Sequence, residues 1–93
     1  MSEIARLRDA AAPTDRLLDG RARTHGDYAC VSAVYVDLLG ALANGAADLS
    51  PAQRTAVDMI AMKMARIVCG DPGHADHWDD IAGYAFLAKR SAF

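Results

Sequence analysis

The sequence predicts an all-helical protein, a small bundle, and three observations lead there. Helix formers dominate, with 20 alanines in the chain, whereas no stretch alternates apolar and polar residues for long enough to make a strand. Apolar positions recur at helical spacing, and the residues between those stretches are of the kind that start and stop helices. The chain is 93 residues long, which leaves room for one domain over 1–93, because a second core could not be carved from it.

Taken in order, Ser2 can cap a short helix over 3–12, Pro13 ends it, and a second turn or short helix follows around Asp15 to Arg23. Residues 1–23 are therefore read as short N-terminal helices and 24–90 as the helical core. Thr24-His25-Gly26-Asp27 reads as a loop, with Gly26 permitting an unusual backbone angle and Asp27 capping a helix over 27–44. The apolar stripe of that helix is Val31, Val34, Leu38, Ala41 and Leu42. Ser50-Pro51 then opens a long helix over 51–69, since serine caps well and proline suits the first helical position. Gly70 stops it, Asp71-Pro72-Gly73 makes a turn, and a last helix over 75–89 ends in Lys89 and Arg90, where cations suit the helix dipole.

Apolar residues make up 53% of the chain, too many for disorder, yet alanine supplies so many of them that the core must be thin. The long helix carries Val57, Ile60, Met64, Ile67 and Val68 on one side, and Met59, Ala61, Met62, Ala65 and Cys69 extend the apolar surface most of the way round. One layer of this size does not cover that surface, so homo-oligomerisation, most simply a dimer, is expected to complete the bundle.

Ten basic against twelve acidic side chains give a formal charge of -2. A bare electrostatic grip on duplex DNA or on an anionic membrane is not expected from that balance. Uninterrupted apolar runs fall short of a membrane span, and the first residues lack the order of a secretory signal, so a cytoplasmic protein is expected. Cys30 and Cys69 lack CxxC spacing and are expected to pack as small hydrophobes in a reducing compartment.

The candidate chemistry gathers at three places. On the last helix Asp76, Asp80, Gly83 and Tyr84 share a stripe, so two carboxylates and a phenol could line a site and hold Mg2+; an acidic first turn favoured by the helix dipole explains the same residues. Lys63 and Arg66, three apart on the long helix, could grip phosphate oxygens or simply form a solvated face, with Asp58 close to that stripe. His25, Asp27 and Tyr28 sit where a loop feeds a helix and its N–H groups could meet an anion, although a plain capping turn is the usual cause. Trp78 could stack on a base or pack in the core. His74 and His77 are three apart with neither an HExxH pattern nor a cysteine nearby, which argues against zinc. Neither a GxxxxGK[ST] loop nor a Ser-His-Asp or Cys-His arrangement is present, so nucleophilic catalysis is disfavoured.

The order Thr24-His25-Gly26-Asp27-Tyr28, then Asp58-Met59-Ile60-Ala61 with Lys63-Met64-Ala65-Arg66-Ile67, then Ala75-Asp76-His77-Trp78 with Asp80-Ile81-Ala82-Gly83-Tyr84-Ala85, resembles an uncharacterised family of short phage and prophage proteins. The resemblance covers about residues 20 to 89. More distantly, Lys63, Arg66, Asp76, Asp80 and Tyr84 are arranged as in the closing half of MazG-like all-helical nucleotide pyrophosphohydrolases, which oligomerise and hold Mg2+ on a nucleoside triphosphate. That likeness makes 24–90 the MazG-like core and implies Asp76 and Asp80 as metal-side carboxylates, with Lys63 and Arg66 facing phosphate.

The chain departs from the MazG pattern in having no glutamate after Glu3, and Asp37 and Asp58 are the only acidic residues on the two preceding long helices. The resemblance thus implies a nucleotide as ligand, and the missing glutamates favour binding over hydrolysis. The expectation is a phage-type module that sequesters a linear or cyclic signalling nucleotide in an anti-defence role, in the host cytoplasm, through His25, Asp27, Tyr28, Lys63, Arg66, His77, Trp78 and Tyr84. The first alternative is an Mg2+-dependent pyrophosphohydrolase using Asp58, Asp76 and Asp80. The second is a structural or regulatory phage protein without catalysis.

Overall fold

In a computed structural model, residue 20 and residues 22–91 are described. They form an all-α bundle of three long helices without a strand among them: α1 (Tyr28–Ala43), α2 (Pro51–Cys69) and α3 (Ala75–Ser91). The short helices expected over 3–12 and around Asp15 to Arg23 fall largely outside the described residues. A helical turn at 22–25 precedes α1, so Thr24 and His25 close a turn rather than sit in open loop.

The first two helices start where a capping side chain satisfies an unpaired backbone donor of the helix N-terminus. Asp27 stands in extended backbone and its carboxylate accepts from the Cys30 N–H at 3.4 Å. Ser50 makes a reciprocal capping box: the Gln53 N–H donates to Ser50 Oγ at 3.1 Å while the Ser50 N–H donates to Gln53 Oε1 at 3.0 Å, with Pro51 at the first position. Before α3, Asp71 Oδ1 accepts from the Gly73 N–H at 2.9 Å and closes the turn that the Asp-Pro-Gly sequence predicts. The last helix continues past Lys89 to Ser91, whose hydroxyl donates back to the Leu87 carbonyl at 2.7 Å.

The second helix lies in the middle and packs against both others. What it buries is chiefly alanine: Ala56, Ala61 and Ala65 are in the core with Val31 and Ile67, and Ala65 is 0% exposed. The larger residues of the expected stripe fare differently, with Met64 46% and Val68 69% exposed. Two helices that flank a third at close range select small side chains at the contact, and this displaces the bulky residues outward. The core is accordingly thin, and exposed Val36, Leu42, Phe86 and Leu87 add to the uncovered apolar surface.

One expectation about this region needs correction. Cys30 and Cys69 are not separate hydrophobes: they are joined in a disulfide across a Cα–Cα distance of 6.0 Å, tying the start of α1 to the end of α2. A disulfide persists in an oxidising setting, so the cysteines give no support to a reducing compartment. The stretch Ala22–Ala43 holds, by length and composition alone, one window apolar enough to cross a membrane, with a mean hydropathy of 1.2. Gly26, at φ 86°, interrupts that stretch, and Asp27 caps the part that follows.

Candidate functional site

The 24–27 segment, the end of α2 and the start of α3 meet at a close crossing. Two glycines let the backbones approach. A Cβ on Gly70 would lie 2.6 Å from the Gly26 nitrogen and 2.7 Å from the Thr24 carbonyl oxygen; one on Gly26 would lie 2.7 Å from Cys69 Cβ. This proximity turns the Thr24 carbonyl into a shared acceptor, taking the Asp71 N–H at 3.3 Å and His77 Nε2–H at 2.9 Å.

Around that carbonyl three imidazoles gather. His77, in the first turn of α3, is 1% exposed and is the largest fully buried side chain. His74 lies one turn earlier, with the His77 N–H donating to its carbonyl at 3.3 Å. His25 arrives from the far side of the sequence, its ring centroid 4.6 Å from that of His77 and 5.3 Å from that of His74. The His74 and His77 rings are 4.8 Å apart. Among the described residues, these are the group of three or more His, Cys, Asp or Glu side chains close enough to share an ion. The sequence reading argued against a histidine metal site because it weighed only the local pair His74 and His77; the third ring comes from a segment about fifty positions away, which no local spacing shows.

The acidic stripe is used otherwise than expected. Asp80 accepts from Lys63 Nζ at 2.8 Å, linking α3 to α2. Lys63 is nearly buried, at 9% exposure, so it is neither a solvated basic face nor turned to a phosphate. The Lys63 hydrogen bond holds the Asp80 carboxyl below the usual carboxylate range, and the charges of Lys63, His77 and Arg66 add to this. Asp76 is exposed and its Oδ2 lies 3.6 Å from His74 Nε2. Asp58, Asp76 and Asp80 do not form an ion-sharing trio among the described residues. Because the folded-state Asp80 carboxyl titrates lower than the unfolded one, its contribution to stability is complete above about pH 4 and is lost as pH falls through the folded value. Urea midpoints of the wild-type protein and of Asp80→Asn should therefore differ at pH 7, and the gap should shrink as the pH is taken progressively below about 4; a gap that stays constant down to the acid limit of folding would contradict the assignment.

Four of the predicted ligand residues do come together, at a different place. His25, Asp27, Tyr28 and Arg66 line a groove of about 570 Å3 between the start of α1 and α2, and Tyr35 and Met62 complete it. The volume falls within the range of small-molecule sites. Asp27 is engaged as the cap of α1, and Arg66 brings a guanidinium to the groove wall. Trp78 lies elsewhere, 54% exposed, with Nε1–H donating to the Pro72 carbonyl at 2.8 Å; Tyr84 is half-buried on α3. Tyr35 was missed because the α1 stripe was read through its aliphatic residues alone.

A protein-family model described as a domain of unknown function (DUF6378) matches residues 10–92. No curated protein and no solved structure matches the chain.

Proposed function

The chain belongs to the DUF6378 domain family, and from that premise we infer that it is a binding module for a nucleotide, held in the α1–α2 groove and retained without being converted. The observation that carries this reading is the convergence of Arg66 and His25 with the phenols of Tyr28 and Tyr35 on one groove of about 570 Å3. A guanidinium suits a phosphate and pairs with it through two N–H donors, while an aromatic ring offers a face on which any base can stack. Sequestration rather than hydrolysis fits the engagement of Asp80 by Lys63, because that pairing takes from the acidic stripe the carboxylate an Mg2+ ion would need. A linear or cyclic signalling nucleotide, captured in an anti-defence role by a phage protein, is the form of this reading that the sequence resemblance supplies.

A second copy of the chain belongs to the same proposal. Tyr28 is 86% exposed, Val68 69%, Val36 63% and Phe86 61%, an uncovered apolar surface that association would bury. Sedimentation velocity followed at the absorbance of the base tests both parts together. Nucleotide should travel with a species heavier than the 9.9 kDa chain, and heat denaturation should then release it chemically intact. Arg66→Ala should weaken retention by about 10- to 100-fold, the loss expected for a charge-assisted hydrogen bond to phosphate. Nucleotide that stays behind at every concentration, or an Arg66→Ala protein that retains it equally, would overturn the reading; a converted nucleotide would make the protein an enzyme instead.

A further inference from the structure

We propose that His25, His74 and His77 form a binding site for a divalent transition-metal ion of the zinc type, next to the groove and sharing His25 with its wall. The ligating nitrogens of the three rings lie within 4.8 Å of one another. A tetrahedral ion with bonds of about 2.0–2.1 Å places its nitrogens about 3.4 Å apart, so the widest pair would close by up to about 1.4 Å to share one ion.

The hydrogen bonds around the rings give the second argument. A carbonyl only accepts, so the 2.9 Å contact from His77 Nε2 to the Thr24 oxygen fixes Nε2 as the protonated nitrogen and makes Nδ1 the one with a lone pair for a metal. His25 meets the hydroxyl of the same Thr24 through Nδ1 at 2.6 Å; with Nδ1–H donating to that oxygen, Nε2 is the nitrogen with a lone pair for an ion. One residue thus orients two of the three imidazoles, through its carbonyl and its hydroxyl. Metal-ligating histidines are held in this way, by an oxygen on the nitrogen that does not bind the metal. For His74 the carboxylate of Asp76, 3.6 Å from Nε2, stands in the corresponding place.

Burial supplies the third. Among the described residues His77 is the largest fully buried side chain, in a core whose apolar members are alanine, valine and isoleucine. An imidazole there carries a desolvation cost that an aliphatic residue would avoid. Imidazole donors select Zn2+, Ni2+, Cu2+ or Fe2+ over Mg2+ and Ca2+, which prefer oxygen. The site therefore differs in both place and chemistry from the Asp76 and Asp80 site for Mg2+ that the sequence suggests. Three protein nitrogens leave a fourth position for water or for an anionic oxygen.

The test uses the full-length oxidised chain, stripped with a chelator, titrated with Zn2+ by calorimetry and with Co2+ as a visible-absorption probe of coordination. The wild-type protein should take up about one ion per chain with no competition from excess Mg2+, and Zn2+ should raise its unfolding temperature. His74→Ala removes a half-exposed ring and should lower Zn2+ affinity by more than about 100-fold while the helical circular dichroism stays unchanged. Thr24→Val keeps the carbonyl, removes the hydroxyl and should cost about 10- to 100-fold, as loss of an orienting partner does. His77→Ala is expected to behave like His74→Ala, and if it fails to fold, the His74 and Thr24 variants decide. The proposal is overturned by absence of saturable Zn2+ uptake in the wild type, by a His74→Ala protein that binds as tightly, or by uptake that appears only after reduction and disappears in Cys69→Ser. Loss of nucleotide retention with Zn2+ uptake intact would remove the groove reading and leave this one standing.

Discussion

Breaking the Cys30–Cys69 disulfide should destabilise the protein by about 4 kcal/mol, the chain-entropy value for a cross-link spanning a sequence separation of 39. In few domains of this size would that be a minor fraction of the total, since whole-domain stabilities run to about 5–15 kcal/mol and small cores lie at the low end. Here the core offers little to offset it. Val31 and Ile67 are its large aliphatic members, and the remainder is Ala56, Ala61 and Ala65, whose burial removes little apolar surface per residue. The cross-link also lies beside the crossing, with Cys69 Cβ directly against Gly26, so opening it frees the segment that carries Thr24 and His25. The comparison is urea unfolding of the oxidised protein against the Cys30→Ser, Cys69→Ser double variant, with the slopes checked for equality so that midpoints convert to free energy. Superimposable curves would show that helix packing alone supports the fold.

The sequence made helix positions legible because they are set by local chemistry. Asp27, Ser50-Pro51, Gly70 and Asp71-Pro72-Gly73 each act within a few residues of themselves: α1 begins right after the first mark, α2 begins and ends at the next two, and α3 begins just beyond the last. Which face each helix buries was less legible. Hydrophobic periodicity assigns the largest side chains to the interior, whereas a helix held between two others buries its smallest, and Ala61 and Ala65 take the places that Met64 and Val68 appeared to claim. Long-range pairings were not legible at all. The disulfide, the Lys63–Asp80 ion pair and the three imidazoles each join residues whose proximity follows from how closely the helices cross. Lys63 illustrates the consequence: its spacing from Arg66 suggests a common phosphate grip, yet Lys63 is taken up by Asp80 on α3 while Arg66 forms part of the groove wall beside α1. Of the residues proposed from sequence for a ligand, His25, Asp27, Tyr28 and Arg66 are assembled in one groove, because three of them are adjacent in the chain and needed only one partner helix.

Gly70→Ala should be among the most damaging single substitutions in the chain, costing roughly 2–3 kcal/mol, the upper part of the usual overpacking range. A positive φ does not cause this, since φ at Gly70 is -123°. Space does: the added methyl group would meet the Gly26 nitrogen at 2.6 Å, the Thr24 oxygen at 2.7 Å and the Arg66 oxygen at 2.9 Å. All three are backbone atoms, so no side-chain rotation relieves the clash and the 24–26 segment must be pushed off the end of α2. That displacement moves the Thr24 carbonyl away from Asp71 N–H and His77 Nε2–H, stranding buried donors and separating His25 from the other two rings. Loss of stability and loss of Zn2+ uptake should therefore appear together in this variant. Gly83→Ala is the contrast, because nothing lies within 4 Å of its added Cβ and the site is in the interior of α3; replacing a mid-helix glycine there should stabilise by about 0.5–1 kcal/mol and leave Zn2+ uptake unchanged. Urea midpoints and zinc titrations of the two variants give the answer. If Gly70→Ala unfolds at the wild-type midpoint and still takes up the ion, the close crossing of backbones is not what holds the histidines together.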